Sequence, residues 1–552
     1  MLLDIQNLKI SFDEKVVVKD FSLQLDKSKI LGIVGESGSG KSLSALSILG
    51  ILPKNASFSF KSMKFDGRDL DTHHQHKMRK LRGLEISMIF QEPMSSLNPS
   101  MTCGKQVAEV LLNHNICKSK SAKSQVISLF KKVKLPEPET AYMKYPHQIS
   151  GGQKQRVMIA MAIACKPKLL IADEPTTALD VSVQKDIIQL LKDIQRETKM
   201  SIIFISHDLA LVKNIADDIM VMYQGDIVEY QSVDEIFNHP KQDYTKALMV
   251  ARPQADKRLK RLPTIKDFTS QNFLESEETS GERQTRHQKL YDSSPIIKVS
   301  NLEKSFKINS SFFKTSTFFK AIDNVSFEVY KGEKLGVVGE SGCGKTTLGH
   351  LVTALIPADS GSIKYNDLDI TQLGKKQLKP IKKDIQIIFQ DPYSSLNPRL
   401  RIGEAIAEPM LVHKLEANAK KRRQKVYRLL EAVGLSKEYY DRYPHEFSGG
   451  QRQRIGIARC LALEPKVIIC DESVSALDIS VQAQVLNLLE DLKEKFNLTY
   501  IFISHDLSVV RQFSDRILVM KSGKIVEKGE ADKVYKNPEK SYTKKLLDSI
   551  PT

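Results

Sequence analysis

Three kinds of short apolar run recur in each half of the chain, each followed by a chemically loaded residue. KILGIVG (29–35) and KLGVVG (334–339) end on glycine, KLLIAD (168–173) and KVIICD (466–471) end on aspartate, and IIFIS (202–206) and YIFIS (500–504) lead into His207 and His505. Apolar runs of about four to eight residues without alternation read as strands buried on both faces, the habit of a parallel sheet covered by helices. Helical periodicity follows the glycine-ended runs, in KSLSALSIL (41–49) and KTTLGHLVTAL (345–355). Strand, glycine-rich loop and helix in succession predict an α/β architecture. No apolar run approaches the ~20 residues of a bilayer span. The best candidate, 157–165, is closed off by Lys166 and Lys168. MLLDIQNLKI at the start has neither a basic n-region nor a small-residue cleavage site, so no signal peptide is expected and the chain is expected to stay in the cytoplasm.

The pattern is a duplication. YPHQISGGQKQRVMIAMAIACKPKLLIADEPTTALDVSVQ from Tyr145 recurs as YPHEFSGGQRQRIGIARCLALEPKVIICDESVSALDISVQ from Tyr443, and MIFQEPMSSLNPSM from Met88 as IIFQDPYSSLNPRL from Ile387. A period this long is a repeated domain and not a solenoid unit. At 552 residues the chain exceeds one hydrophobic core. Two domains are expected, 1–254 and 295–552. The polar, charged stretch 255–294 between them buries too little to order itself and is expected to be a flexible linker. A phenylalanine-rich insertion, NSSFFKTSTFFK (309–320), occurs in the second half only.

Composition changes this picture little. The net charge is +17, but lysine is spread along the whole chain, and KKRRQK (420–425) reads as a solvated helix face. A membrane-adjacent role fits that charge better than direct nucleic-acid binding. Cys103, Cys117, Cys165, Cys343, Cys460 and Cys470 lie at no metal-ligand spacing and are expected as reduced, packed thiols.

The candidate chemistry is phosphate chemistry. GESGSGKS (Gly35, Glu36, Ser37, Gly38, Ser39, Gly40, Lys41, Ser42) and GESGCGKT (Gly339, Glu340, Ser341, Gly342, Cys343, Gly344, Lys345, Thr346, followed by Thr347) match the phosphate-binding loop between strand and helix. Such a loop turns successive N–H groups inward onto phosphate oxygens at a helix N-terminus. Lys41 and Lys345 reach the β- and γ-phosphates, and the hydroxyls of Ser42 and Thr346 can ligate Mg²⁺. Asp173 and Asp471 suit a Mg²⁺-organising carboxylate, and Glu174 and Glu472 suit a base for an attacking water. His207 and His505, at strand ends, suit contact with a γ-phosphate. Ser150-Gly151-Gly152-Gln153 and Ser448-Gly449-Gly450-Gln451 start helices and offer a second kind of anion site.

SGGQ, twice, with these loops in this order, makes the chain resemble the nucleotide-binding subunits of ABC transporters. The resemblance implies two tandem P-loop NTPase domains. Each would have a RecA-like core, a small antiparallel β subdomain and an inserted helical subdomain, at about 92–145 and 391–443. It implies Q-loop residues Gln91 and Gln390 at the hinge of that insert, reaching the Mg²⁺. It places Phe12 and Phe306 as adenine-stacking rings, with Phe319 a rival to Phe306. It implies ATP held head to tail between the loop of one domain and the SGGQ of the other, which explains why the octapeptide occurs twice. The partners implied are two membrane permeases at the cytoplasmic face of the cell membrane and, through them, an extracytoplasmic solute-binding protein. FQ[DE]P with SLNP, and the tails HPKQDYTKALM (from His239) and NPEKSYTKKLL (from Asn537), resemble the ATPases of oligopeptide, dipeptide and nickel importers. The fused pair resembles those of peptide and glutathione importers. A peptide importer ATPase using ATP and Mg²⁺ is therefore expected. The alternatives are a nickel, metal-chelate or glutathione importer and, further off, an exporter or a ribosome-associated double ATPase. The leading residues of ISGGQ and FSGGQ are apolar where leucine is common, and neither tail has the cysteines of an iron–sulfur site. Both halves keep every catalytic residue type, so neither site is expected to be degenerate.

Overall fold

The computed structural model describes residues 1–91, 96–177, 179–251, 257–264, 267, 276–308, 317–391, 395–475 and 477–550. It divides into one unit built on Met1–Val250 and a second that runs to Ile550.

In the first unit the fully buried strand Ile30–Val34 lies between the parallel strands Ser201–Ser206 and Asp218–Tyr223. Leu169–Asp173 extends the parallel set beyond Ser201–Ser206, and Ile86–Ile89 forms its edge. Every residue of Leu169–Asp173 and Ser201–Ser206 is buried, as their unbroken apolar runs require. On the other side Asp226–Ser232 pairs antiparallel with Asp218–Tyr223 and touches Lys15–Leu25 through the single pair Asp226 and Asp20. That contact joins the core to an antiparallel hairpin, Leu3–Phe12 with Lys15–Leu25, flanked by Ala56–Ser59 and Ser62–Phe65. Helices Cys103–Asn113, Ser119–Lys132 and Pro138–Met143 form the insert. Cys103, Val107 and Leu111, spaced at four, bury one stripe of the first of these.

The second unit repeats the plan. Lys334–Val338 sits between Thr499–Ser504 and Arg516–Lys521, with Val467–Asp471 and Ile385–Ile388 beyond. Its antiparallel sheet of Thr317–Tyr330, Pro295–Ile308, Ser360–Tyr365 and Leu368–Asp369 is separate from the six-stranded core sheet. Helices Ile402–Val412 and Ala419–Ala432 form its insert. The expected inserts at 92–145 and 391–443 thus contain these helices; 92–95 and 392–394 lie outside the described residues.

The segment expected as a flexible linker departs from expectation. Apart from Asp267, its described residues belong to the second unit. Thr279 caps a helix, Ser280–Tyr291, reciprocally with Glu282. Leu262 is buried among the second unit's core residues, and its backbone N–H and C=O both bond the Asn487 amide. Arg258, itself buried, donates to the carbonyls of Arg511 (2.7 Å) and Ser514 (2.6 Å). Arg283 pairs with Glu530 and Asp532, and Arg286 with Glu278 and the fully buried Asp515. Composition marks these residues as solvated; carboxylates and carbonyls 229 to 256 positions away supply most of their partners. Residues 309–316 of the phenylalanine-rich insertion lie outside the described residues, while Phe318 and Phe319 are exposed. Among the described residues no helix is long and apolar enough to cross a membrane. All six cysteines are free thiols, five of them buried.

Candidate active site

Each loop is shaped by what surrounds it. A Cβ on Gly35 would lie 2.1 Å from the Met222 carbonyl oxygen, and one on Gly339 2.3 Å from that of Met520, so only glycine lets the strand end this close. Gly38 and Gly342 face open space, but their φ of +81° and +77° reserves them for glycine. Helices Lys41–Ile48 and Lys345–Val352 follow without a side-chain cap. Their first N–H groups therefore keep the positive end of the helix for an anion. Lys41 is buried, its Nζ donating to the carbonyls of Gly35 (2.7 Å) and Glu36 (2.8 Å). Lys345 does the same to Gly339 (2.7 Å) and Glu340 (3.1 Å), and stands 3.5 Å from a Glu472 oxygen. Ser37 and Ser341 are exposed, Ser39 and Cys343 buried, and Thr347 intermediate.

The two carboxylates after each second strand have different company. Ser42 Oγ donates to Asp173 (3.0 Å), and Thr346 Oγ1 to Asp471 (3.1 Å). Burial pushes Asp173 up to about 6, with the charge of Glu174 adding to it and the Ser42 hydrogen bond opposing. Asp471 is raised in the same way. Hydroxyl and carboxylate oxygens brought together at a loop lysine are hard donors and fit Mg²⁺. Glu174 accepts from Gln91 Nε2 (3.0 Å) and Thr177 Oγ1 (2.8 Å), and His207 Nδ1 lies 3.3 Å away. Burial pushes the Glu174 carboxyl up, but the hydrogen bond and charge of His207, with Thr177 and Lys41, outweigh it and hold it at about 2. Glu472 is likewise lowered, with Gln390 at 2.9 Å and His505 at 3.5 Å. The glutamine amides expected on the cation therefore bond the glutamates here. Sequence gave no sign that Glu174 and Glu472 both adopt φ of +46°. A left-handed non-glycine residue costs of the order of 1 kcal/mol or more, and strain of this kind gathers at working sites.

SGGQ proves to be a capping box. Ser150 Oγ accepts from Gln153 N (3.4 Å), while Gln153 Oε1 accepts from Ser150 N (3.1 Å), and Ser448 with Gln451 repeats both distances. The two glycines differ. Gly151 and Gly449 have room for a Cβ, whereas on Gly152 and Gly450 it would meet Val183 Cγ1 at 2.8 Å and Val481 Cγ1 at 2.4 Å. The second glycine is thus required by packing.

The aromatic candidates also diverge. Phe306 and Phe319 are register partners, and both line a cavity of about 210 Å³ together with Lys345, Thr347, Gln390 and Glu472. In the first unit Phe12 is partly buried against the β core, and its register partner is Lys15. Sequence reasoning missed Tyr244 and Tyr542, whose hydroxyls accept the N–H of Glu36 and of Glu340, each at 3.1 Å. The paired YTK of the two tails was the available signal.

The sequence matches the ABC transporter family over residues 18–177 and 322–475. It matches the oligopeptide/dipeptide transporter C-terminal region over 228–276 and 526–552. The glutathione import ATP-binding protein GsiA of Escherichia coli (strain K12) is 44% identical over 562 residues, covering 100% of this chain and 89% of that protein. Its counterpart in Shigella boydii serotype 4 (strain Sb227) is 45% identical over 566 residues with the same coverage. Among solved structures, the dimeric structure of a post-hydrolysis state of the ATP-binding cassette MJ0796 bound to ADP and Pi is 27% identical. It covers 43% of this chain and 98% of that one, with a TM-score of 0.39.

Proposed function

Because this chain belongs to the ABC transporter family and carries twice the C-terminal region of its oligopeptide/dipeptide members, we propose that it hydrolyses ATP to power import of glutathione or similar small peptides. The observation that carries this reading is the end-to-end 44% identity to a glutathione import ATP-binding protein. Two full sets of loop lysine, hydroxyl–aspartate pair and glutamine–glutamate–histidine cluster support it.

On this reading Lys41 and Lys345 exchange their carbonyl contacts for the β- and γ-phosphates, beside the loop N–H groups. Ser42 with Asp173, and Thr346 with Asp471, would hold Mg²⁺, with Gln91 and Gln390 nearby, and the cation would supply neutralisation of the phosphate charge. Glu174 and Glu472, kept anionic by their histidines, take the proton of the attacking water. Gln91 and Gln390 connect the glutamates to the helical inserts. Phe306 and Phe319 offer ring faces to an adenine, and Phe12 serves the first site. The halves pair head to tail, each SGGQ closing the other unit's loop, and the signature serine and first glycine face the nucleotide.

Two permeases receive the stroke at the cytoplasmic face of the membrane, fed by an extracytoplasmic solute-binding protein. A cavity on the second unit supports this reading. Its volume is about 440 Å³, it is lined by Phe389, Leu355, Val412 and His413, and Phe389 and Phe90 are both exposed.

Deletion of the gene should abolish uptake of glutathione or of di- and oligopeptides. The wild-type chain should restore it, and Glu174→Gln/Glu472→Gln should not, while still binding ATP. A deletion strain that keeps these uptakes and loses nickel, sugar or polyamine uptake would refute the substrate class. Unchanged phosphate release in the double variant would refute the glutamates as bases.

A further inference from the structure

The two hydroxyls that touch the loops belong to the tails. Tyr244 lies on helix Asp243–Val250 and Tyr542 on helix Ser541–Asp548, both inside the segments matched to the oligopeptide/dipeptide transporter C-terminal region. The peptide group between Gly35 and Glu36 is held from both ends. Its carbonyl accepts from Lys41 Nζ at 2.7 Å, and its N–H donates to Tyr244 at 3.1 Å. The Gly339–Glu340 peptide is held in the same way by Lys345 (2.7 Å) and Tyr542 (3.1 Å).

The tail that carries each tyrosine is itself fixed. Glu229, buried on strand Asp226–Ser232, accepts from the N–H of Lys241 (2.9 Å) and Gln242 (3.2 Å), and from the buried Thr245 hydroxyl at 2.5 Å. Glu527 accepts from Glu539 N (2.8 Å), Lys540 N (3.2 Å) and the Thr543 hydroxyl. The Tyr244 ring also packs on Tyr223 with centroids 4.3 Å apart, and Lys521 stands over the Tyr542 ring at 4.9 Å. Two copies of the domain thus build the same chain of contacts, from a strand glutamate through a tail threonine and the adjacent tyrosine to the second residue of the loop.

We propose that Tyr244 and Tyr542 are positioning residues for ATP. Each C-terminal region braces the first peptide of its phosphate loop, so that the loop keeps its shape when the lysine leaves that peptide's carbonyl for a nucleotide. The role rests on the ATPase reading above. While the lysine holds the carbonyl, both of these restraints act on the peptide. Once the amine turns to phosphate, the tyrosine hydroxyl is the remaining one of the pair. A peptide free to rotate would disturb the inward N–H groups that follow, and the cost would fall on nucleotide binding. The tails thereby gain a task in the nucleotide site, in addition to anything they do for solute or permease.

Tyr244→Phe and Tyr542→Phe, singly and together, test this in the full-length chain with its permeases. Phenylalanine keeps the ring packing and removes the hydroxyl that accepts the loop N–H, and one hydrogen bond of this kind is worth about three- to tenfold in affinity. The double variant should raise KM for ATP about three- to tenfold with kcat within about twofold. Hydrogen exchange of the Glu36 and Glu340 amides should speed up by a similar factor, in the absence of nucleotide. Unchanged KM and unchanged exchange would overturn the proposal. A lowered Tm with kcat and KM falling together would overturn it as well, because packing would then be the role. If the wild-type chain hydrolysed no ATP, the functional reading would fail, yet the amide exchange would still report whether the brace exists.

Discussion

Gly450→Ala is the sharpest test of how the signature helix is built. The new Cβ would lie 2.4 Å from Val481 Cγ1, where carbon atoms prefer about 3.5–4.0 Å. More than 1 Å must therefore be absorbed between the start of helix Gly449–Leu461 and the first turn of helix Ile479–Phe496. Val481 cannot simply swing aside, because a β-branched side chain in a helix has one strongly preferred χ1. Overpacking of this kind costs about 1–3 kcal/mol, against a gain of about 0.5–1 kcal/mol for replacing a helical glycine. Gly449→Ala is the internal control. Its Cβ would find nothing nearer than Leu477 Cδ2 at 3.9 Å, so the gain stands alone. The two variants should thus differ by about 1–3 kcal/mol, or about 2–12 °C in the unfolding of a unit of this size. Gly152→Ala, at 2.8 Å from Val183, should cost less than Gly450→Ala. Val481→Ala should erase most of the Gly450→Ala loss, giving a coupling of about 1–3 kcal/mol in a double-mutant cycle followed by thermal unfolding. Equal melting of Gly449→Ala and Gly450→Ala, or no coupling to Val481, would refute the packing account.

If the halves pair head to tail, as proposed above, Lys41 belongs with the signature of the second unit. Lys41→Ala combined with Gly449→Asp should therefore retain one vanadate-trapped nucleotide per chain, and Lys41→Ala with Gly151→Asp none; the reverse result would mean that each unit closes on its own signature. The first glycine is the right place for that carboxylate, because it leaves Val183 and Val481 undisturbed. Phe306→Ala/Phe319→Ala should weaken ATP binding at the second site by about 10-fold or more, at roughly 1–3 kcal/mol per lost stacking ring, with a smaller effect from either change alone. Equal affinity in equilibrium binding would remove both rings from the site.

The sequence made the strands, loops and carboxylates legible because each is a local pattern. An unbroken apolar run, a glycine octapeptide and an Asp-Glu pair all show their meaning within about ten residues. What stayed hidden depends on partners far along the chain. Val183 and Val481 decide the second signature glycine, yet they lie some 31 positions from Gly152 and Gly450. Tyr244 reaches Glu36 across 208 positions. The segment 255–294 looked solvated because its arginines were counted without Asp515, Glu530 and Asp532. The left-handed backbone of Glu174 and Glu472 has no residue-type signal, glutamate being a poor candidate for that region.

That arginine-rich segment sets an order of events during synthesis. Arg258 must wait for carbonyls 253 and 256 positions later, and Arg286 for Asp515, 229 positions later. At a translation rate of about 5–20 residues per second, roughly ten to fifty seconds pass between making the guanidinium groups and making their partners. The first unit can complete its sheet while the ribosome is still writing the second. The second unit closes only when its final 40 or so residues have emerged, so a chain truncated near Arg511 would present a folded first half followed by an open, cationic second half.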